Sequence, residues 1–507
     1  MTTADRRTAW VLATALFVSY AYFYQAGGWN QNSRFAMIRA VLERHTLQID
    51  AYRLHTGDLA LWEGHYYTDK APGASLLALG PVAVARGIDR LVGVDPEGFP
   101  GIAWTSYVAA VTTSGLFTVV AALAIFWVAR RWGFSRHAAL FAATAYGVAT
   151  PAWCYATLLM GHALTAGCLM LAFAAASGIG GDATGRPYLR AWTVGLACGW
   201  AVVTEFPAAV PVLFIVGFAL LTASDALPNR LAGIALRIIA GGAIPAAVLL
   251  GYNTLSFGSP FHLAYSSEVD PRYGHMREGL FGITYPRWWV LRELLIGSYR
   301  GLLPLAPLMA VTPLGLAAIA RIQPRRRAVW VGSGIALFYF LLNASYFYWE
   351  GGWAYGPRHV IPALPFLALG LAPLWDYGRT AGRILLAVGW LWGTGFTLVA
   401  VSTTPQPPAI VFTHPVSELL WPAFRDGDLS LNHQTMVSGS ADPSNLRGGR
   451  LPHAAWNLGE VAGLHGYASL VPLGLVWIIA AALLLLSDLS NGNSRFQNRS
   501  SNEKPLL

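Results

Sequence analysis

Long apolar runs recur from one end of the chain to the other, and the polar breaks between them concentrate arginine. Each run of roughly 17–25 residues is long enough to cross a bilayer as a helix. The first, Ala9 to Gln25, follows only Asp5, Arg6 and Arg7. No small-residue cleavage site lies behind it, so it reads as a retained helix and not a signal peptide. Placing the arginine-rich breaks on the cytoplasmic side predicts about twelve spans with both termini inside. The second span covers Trp104 to Val128. The third ends near Tyr155 and the fourth starts near His162. Spans five and six meet at Glu205-Phe206-Pro207, the seventh ends near Asn253 and the eighth at Arg321. The ninth exits at Tyr346, the tenth returns to Arg379, the eleventh exits again, and the last covers Tyr467 to Leu486.

This pattern predicts an all-α polytopic membrane protein. A transmembrane domain would occupy residues 1–402, with a long first outer loop at about 26–103. A small outer segment (403–465) would precede the last span and its tail (466–507). In the first outer loop, Ser33 is placed to cap a short amphipathic helix carrying Phe35, Ile38 and Leu42 on one face. The apolar stretch Ala74 to Val84 is short and followed by Arg86, Asp89 and Arg90, so it is expected to lie in the interface. No matched pair of broken helices marks an inverted-repeat transporter.

Composition agrees. The chain is 55% hydrophobic and 12% charged, too apolar for a soluble globule. Its net charge of +9 would suggest nucleic acid in a soluble domain. Here the short-loop arginine clusters sit on the inner side, where they set orientation, while the long first loop with Arg39, Arg44 and Arg53 translocates regardless of charge. The expected surface partner is the lipid bilayer. Cys154, Cys168 and Cys198 lie in apolar runs without pairing or metal spacing, as ordinary small core residues.

The polar motifs change the picture most, because this topology sends all of them to the outer face. They include Asn30 to Arg34, Asp58, the knot Glu63 to Gly73, His162 after Met160-Gly161, Glu205, Arg300, and Trp349 to His359. Random polar intrusions would divide between the two faces, so the one-sidedness predicts a single extracytoplasmic site. Arg34, Lys70, Arg300 and Arg358 are cations at the depth where a lipid-linked phosphate would lie. Asp50, Asp58 and Asp69 are candidates for a general base acting on an acceptor hydroxyl. Gln31, Asn32, His65, His162, Glu205 and His359 are candidates to line the same site. No phosphate-binding Gly loop or Ser-His-Asp pattern competes. His262, His275 and His359 lack a zinc spacing. Asp69, beside Tyr66 and Tyr67 and near His65, is a candidate ligand for a divalent cation.

At these residues the chain resembles the GT-C superfamily of membrane glycosyltransferases, which includes the protein O-mannosyltransferases and the aminoarabinose transferases of lipid A. Arg34 matches the arginine of their first outer loop. Tyr67-Thr68-Asp69-Lys70-Ala71-Pro72 matches their aromatic-acid-Lys-Pro-Pro motif with one residue inserted. The chain is also similar to a group of bacterial GT-C-like membrane proteins through Asn32 to Phe35, His65 to Gly73, Phe257 to Phe261 and Trp349 to Arg358. The resemblance implies that Arg34 and Lys70 hold a polyprenyl-phosphate carrier, with Tyr67 and Asp69 lining its site, on the outer face of the bacterial inner membrane. It implies transfer of the carrier's sugar to a glycan, lipid or protein acceptor. One departure stands out. Gln31 and Asn32 occupy the positions of the family's acidic pair, and amides cannot act as bases. Either an aspartate downstream takes over, or the protein binds lipid carriers without catalysis, as a flippase or an envelope-assembly partner would.

Overall fold

The computed structural model describes residues 2–181, 185–270, 274–276, 278–409, 411–438 and 454–500, with side chains as far as 486. Ile410 and residues 439–453 of the expected outer segment, and Lys504 of the expected inner tail, lie outside the described residues. Helix α1 (Thr3–Ala21) opens with a capping box between Thr2 and Asp5. Asp5 also pairs with Arg130 at 2.9 Å, which ties this helix start to the far end of α5. A two-residue strand β1 (Phe23–Tyr24) leads to α2 (Trp29–Arg44), the hairpin β2 (Leu59–Trp62) and β3 (His65–Thr68), and α3 (Gly73–Leu91). Then come α4 (Phe99–Ala110), which continues through a π-helical turn into α5 (Leu116–Arg131), α6 (Arg136–Val148), α7 (Ala152–Ala156), α8 (Gly161–Ala176), α9 (Pro187–Thr204), α10 (Ala209–Ala226) and α11 (Leu231–Phe257). The second half holds α12 (Trp288–Ile296), α13 (Leu302–Leu305), α14 (Leu308–Ala320), α15 (Gln323–Ser345), α16 (Leu364–Ala368), α17 (Leu371–Tyr377), α18 (Thr380–Thr403) and α19 (Trp421–Arg425). Strand β4 (Trp456–Asn457), α20 (Leu458–Val461) and α21 (Val471–Ser500) complete the chain.

Among the described residues seven helical stretches are long and apolar enough to cross a membrane: Phe99–Arg131, Phe206–Ala226, Pro228–Phe257, Gln323–Ser345, Arg358–Tyr377, Thr380–Thr403 and Gly466–Leu486. Gly161–Ala176 and Leu308–Ala320 are apolar but shorter. The protein is a multi-pass membrane protein. The expected first, third and fifth spans correspond to α1, α6 with α7, and α9, which fall outside that length-and-apolarity class. The third is interrupted at Thr150-Pro151, since proline cannot continue the preceding ladder.

The helices pack through small residues. On α9, Gly195 and Gly199 stand one turn apart and face Ile238, Gly242 and Pro245 of α11. A Cβ on Gly195 would lie 2.1 Å from the Ile238 carbonyl oxygen. Backbones can approach that closely only where side chains are absent, which is how helices associate in lipid. The three cysteines are buried and unpaired.

The segment expected to form the first outer loop differs from expectation in two places. Ser33 does not cap α2. The helix starts at Trp29 because the Asn32 side chain reaches back to accept the Gly28 N–H at 3.1 Å. Ser33 therefore lies inside the helix, its hydroxyl 2.7 Å from both the Asp58 carbonyl and Thr68 Oγ1. Nor is α2 one-faced. Phe35 and Ile38 pack on Ala78 and Val82 of α3, while Ala36, Met37 and Ala40 pack on Tyr67 and Phe257. Helix α3 runs past the expected end at Val84 because Arg86 is buried and paired with Glu43 at 2.6 Å. Val84, Ile88 and Leu91 remain exposed on its other side.

Candidate active site

A tight hairpin delivers the knot Glu63 to Gly73. Its two loop residues, Glu63 and Gly64, both have positive φ (50° and 84°), as a two-residue turn matching the strand twist requires. Trp62 pairs with His65 and Leu59 with Thr68. Beyond β3 the chain turns at Asp69 to Pro72 and enters α3. A Cβ on Gly73 would lie 2.5 Å from Thr204 Oγ1, so this turn is seated directly on the end of α9, beside Glu205. A third segment joins the hairpin edge from the loop after α11. Ala60 bridges Glu268, and the Val269 N–H donates to the Leu59 carbonyl at 3.1 Å.

These elements close a pocket of about 60 Å³ lined by Asn30, Arg34, Asp69, Lys70, His162, Glu205, Tyr265, Glu268, Met276, Tyr346, Arg358 and His359. An adjoining cavity of about 370 Å³ shares Tyr265, Glu268 and Met276 with it. Arg34 is 2% exposed. Its guanidinium donates to Asn30 Oδ1 (3.1 Å), the Ala71 carbonyl (2.9 Å) and Glu205 Oε1 (3.4 Å). Glu205, a candidate to line the site, precedes the short turn at Phe206–Ala208. It makes no cap hydrogen bond and instead lies between Arg34 and His162, whose Nδ1 is 3.7 Å away. Gly161 permits this, because a Cβ there would fall 2.0 Å from Glu205 Oε1. His162 and His359 meet edge to face, with ring centroids 5.2 Å apart. The buried His359 Nε2 finds no hydrogen-bond partner among the described residues, and it lines this pocket.

Lys70 is the electrostatic centre. Its ammonium bonds Asp69 and lies 2.9 Å from Asp58 Oδ2. Glu268 faces Asp69 across the pocket. Three carboxyls thus crowd one ammonium. Burial, and then the neighbouring Asp69, push Glu268 up to about 10, so at neutral pH it is a carboxylic acid that can donate a hydrogen bond to Asp69. Burial also raises Asp58, against the pull of Lys70.

The pocket therefore unites seven expected residues: Arg34, Asp69, Lys70, His162, Glu205, Arg358 and His359. Asp58 stands behind Lys70. Other expected residues go elsewhere. Asp50 accepts the Tyr66 N–H at 2.6 Å and pairs with His65 at 2.8 Å, out on the exposed hairpin, so neither reaches the pocket. Tyr67 packs on Phe257 with centroids 5.1 Å apart, on the opposite side of β3 from Thr68. Arg300 is buried with its donors occupied by the Glu350 carbonyl (2.9 Å), the Gly352 carbonyl (2.7 Å) and Tyr299 Oη (3.1 Å). It braces the turn that presents Arg358 and does not line the pocket.

Gln31 and Asn32 are buried and face backbone groups. Gln31 accepts the Leu159 N–H at 2.9 Å and donates to the Ala26 carbonyl at 3.2 Å. Asn32 Nδ2 lies within hydrogen-bond reach of the carbonyls of His55, Thr435 and Ser438. Gln31 thus ties the start of α2 to the chain just before α8, while Asn32 holds it against the segment near residue 435. The neighbouring Asn432 does the same for the Gln25 and Gly27 carbonyls.

Glu268, Tyr265, Met276 and Tyr346 were missed as site residues, and Asn30 was noted only as part of a motif. Tyr265 lies in a single 3-10 turn (Ala264–Ser267) and Glu268 just after it, in a segment whose position depends on pairing with β2, which no periodicity announces. Of the groups expected around a cation at Asp69, His65 pairs with Asp50, and the Lys70 ammonium contacts both Asp58 and Asp69. The described residues hold no group of three or more His, Cys, Asp or Glu side chains arranged for a metal.

No protein-family model matches the sequence, and no curated protein sequence matches it significantly. Solved structures do. The chain is similar to ArnT from Cupriavidus metallidurans bound to undecaprenyl phosphate, with a TM-score of 0.52 and 16% identity over 96% of this chain and 78% of that one. The same protein in the apo state gives 0.51 and 16% over 94% and 75%. AglB from Archaeoglobus fulgidus, an archaeal oligosaccharyltransferase in complex with an inhibitory peptide and a dolichol-phosphate, gives 0.46 and 14% over 79% and 56%. At such identities the likeness speaks for the fold. The likeness runs along almost the whole chain, and this protein shares the overall fold of ArnT.

Proposed function

We propose that this protein is a glycosyltransferase that takes a sugar from a polyprenyl-phosphate carrier and passes it to an envelope acceptor on the extracytoplasmic face. The observation that carries this reading is the convergence of Arg34, Lys70 and Arg358 on one pocket with the Asp69–Glu268 carboxyl pair. In the reaction, the acceptor oxygen bonds to the anomeric carbon as the bond from that carbon to the phosphate oxygen breaks. The carrier phosphate leaves with the electron pair, and the three cations stabilise its charge. Asp69 takes the acceptor proton, while Glu268 stays protonated and orients Asp69. His359 Nε2 would hydrogen-bond the departing phosphate. Structural likeness to a protein crystallised with undecaprenyl phosphate supports a carrier of that class. The sidedness is supported by arginine clusters at the opposite helix ends.

The rival reading, a non-catalytic carrier-binding protein, drew on the amides Gln31 and Asn32. Both are committed to backbone contacts, so they bear on folding more than on chemistry. The deciding assay incubates purified protein with synthetic polyprenyl-phosphate sugars. Wild type is expected to release polyprenyl phosphate and glycosylate an acceptor. Lys70→Ala is expected to weaken carrier binding, and Asp69→Asn to bind carrier but slow transfer by about 10²–10⁴. Transfer by wild type no faster than by both variants, across several donors, would overturn the proposal.

A further inference from the structure

Three helices have one end in the pocket and the other in a second, larger groove. Helix α8 begins beside His162 and ends beside Ser177, and α10 begins just after Glu205 and ends at Ala226. Helix α15 runs the other way, from Gln323 to Ser345, next to Tyr346. The groove therefore opens at the opposite end of the helices from the candidate active site. It measures about 1160 Å³.

Its walls divide by chemistry. Leu213, Gly217 and Leu221 recur every fourth residue along α10, and Trp330 and Gly334 do so on α15. Leu213 is 70% exposed and Trp330 63%, apolar side chains turned outward along the groove. From Leu213 to Asp225 the α10 wall rises roughly 18 Å, the scale of an acyl chain. At the mouth, polarity switches to Arg131, Arg325, Arg326 and Arg327 against the single carboxylate of Asp225. Arg131 is held by the Ala174 carbonyl (2.8 Å) and Ser177 Oγ (3.0 Å). Arg327 bridges to Asp225 at 2.7 Å, joining α15 to α10 across the opening. A cationic mouth over an apolar slot between helices matches a molecule with an anionic phosphate head and an acyl tail. Neither a free phosphate nor a neutral lipid uses both halves.

We propose that this groove binds one anionic glycerophospholipid, its phosphate among the arginines and an acyl chain along α10 and α15. The test uses the full-length protein in a neutral detergent and counts bound lipid by native mass spectrometry, titrating phosphatidylglycerol, phosphatidylcholine with the same acyl chains, and inorganic phosphate. Phosphatidylglycerol is expected to bind saturably and at least about tenfold more tightly than phosphatidylcholine. The double substitution Arg325→Ala with Arg326→Ala should weaken it by roughly ten- to thirtyfold. Gly217→Leu should block it sterically with every charge retained. A Cβ at Gly217 meets nothing within 4 Å, so this variant is expected to fold if the arginine double does not. Lys70→Ala should leave it unchanged, which separates this groove from carrier binding. Equal affinity for the two phospholipids, indifference to Gly217→Leu, or full displacement by inorganic phosphate would each overturn the assignment.

Discussion

At the scale of single residues, the sharpest contrast is between Asn32 and Glu268. Sequence comparison marks Asn32 as a lost acid, yet its Nδ2 faces three carbonyl oxygens. Restoring the acid with Asn32→Asp would set a buried charge against those oxygens. It is expected to cost about 3–5 kcal/mol, read as a lowered unfolding midpoint, with no gain in transfer. Glu268 behaves oppositely. Its folded pKa of about 10 lies far above that of an unfolded glutamate, so between pH ~4.5 and ~10 the folded state holds a proton that the unfolded state has released. Its linked stability is full below that window and is lost as pH rises through it. Glu268→Gln should flatten this part of the melting-temperature profile and retain carrier binding. Gly161→Ala should act through Glu205, whose Oε1 would lie 2.0 Å from the new methyl group. The expected result is a loss of carrier affinity with a stability change of about 1–3 kcal/mol.

At the scale of elements, two devices position the pocket. One is the hairpin between α2 and α3, which carries Asp69 and Lys70 in and receives Glu268 along its edge. The other is the seam between α9 and α11, which fixes the level at which Glu205 emerges. The Gly195 and Gly199 pair on α9 is legible in sequence as a small-residue packing motif, although hydropathy passes over it. Gly195→Val would press into the Ile238 carbonyl and is expected to cost about 1–3 kcal/mol, visible as a lowered thermal midpoint in detergent. The α2 boundary was misplaced because a serine before an apolar run is a generic start signal. The actual start depends on Asn32 folding back on Gly28.

At the scale of the molecule, arginine placement predicts which helix ends face the cytoplasm. A cysteine introduced at exposed Ser266, near the pocket, should react with a membrane-impermeant maleimide on intact cells. One at Gln323 should react only after the membrane is opened. The native cysteines are buried and should stay silent. The reverse labelling pattern would put the pocket on the cytoplasmic side and remove the extracytoplasmic reaction.

Much of this protein was determined by local chemistry along the chain. Apolar run length dictates helices that cross lipid, because unpaired backbone groups cannot be left there. Arginine distribution separates the two ends, and the knot at Asp69 and Lys70 is dense enough to be noticed against an apolar background. Tertiary structure decided the rest. It turned Asp50 and His65 to each other, Tyr67 to Phe257, and Arg300 to the Glu350 and Gly352 carbonyls, all away from the pocket. It converted Gln31 and Asn32 from a missing catalytic pair into backbone clamps. It also brought Glu268 to Asp69 from some 200 residues away along the chain, through a strand edge that neither segment contains alone. Sequence reveals which groups are unusual for their surroundings. Which of them meet depends on the closing of long loops, and no local pattern records that.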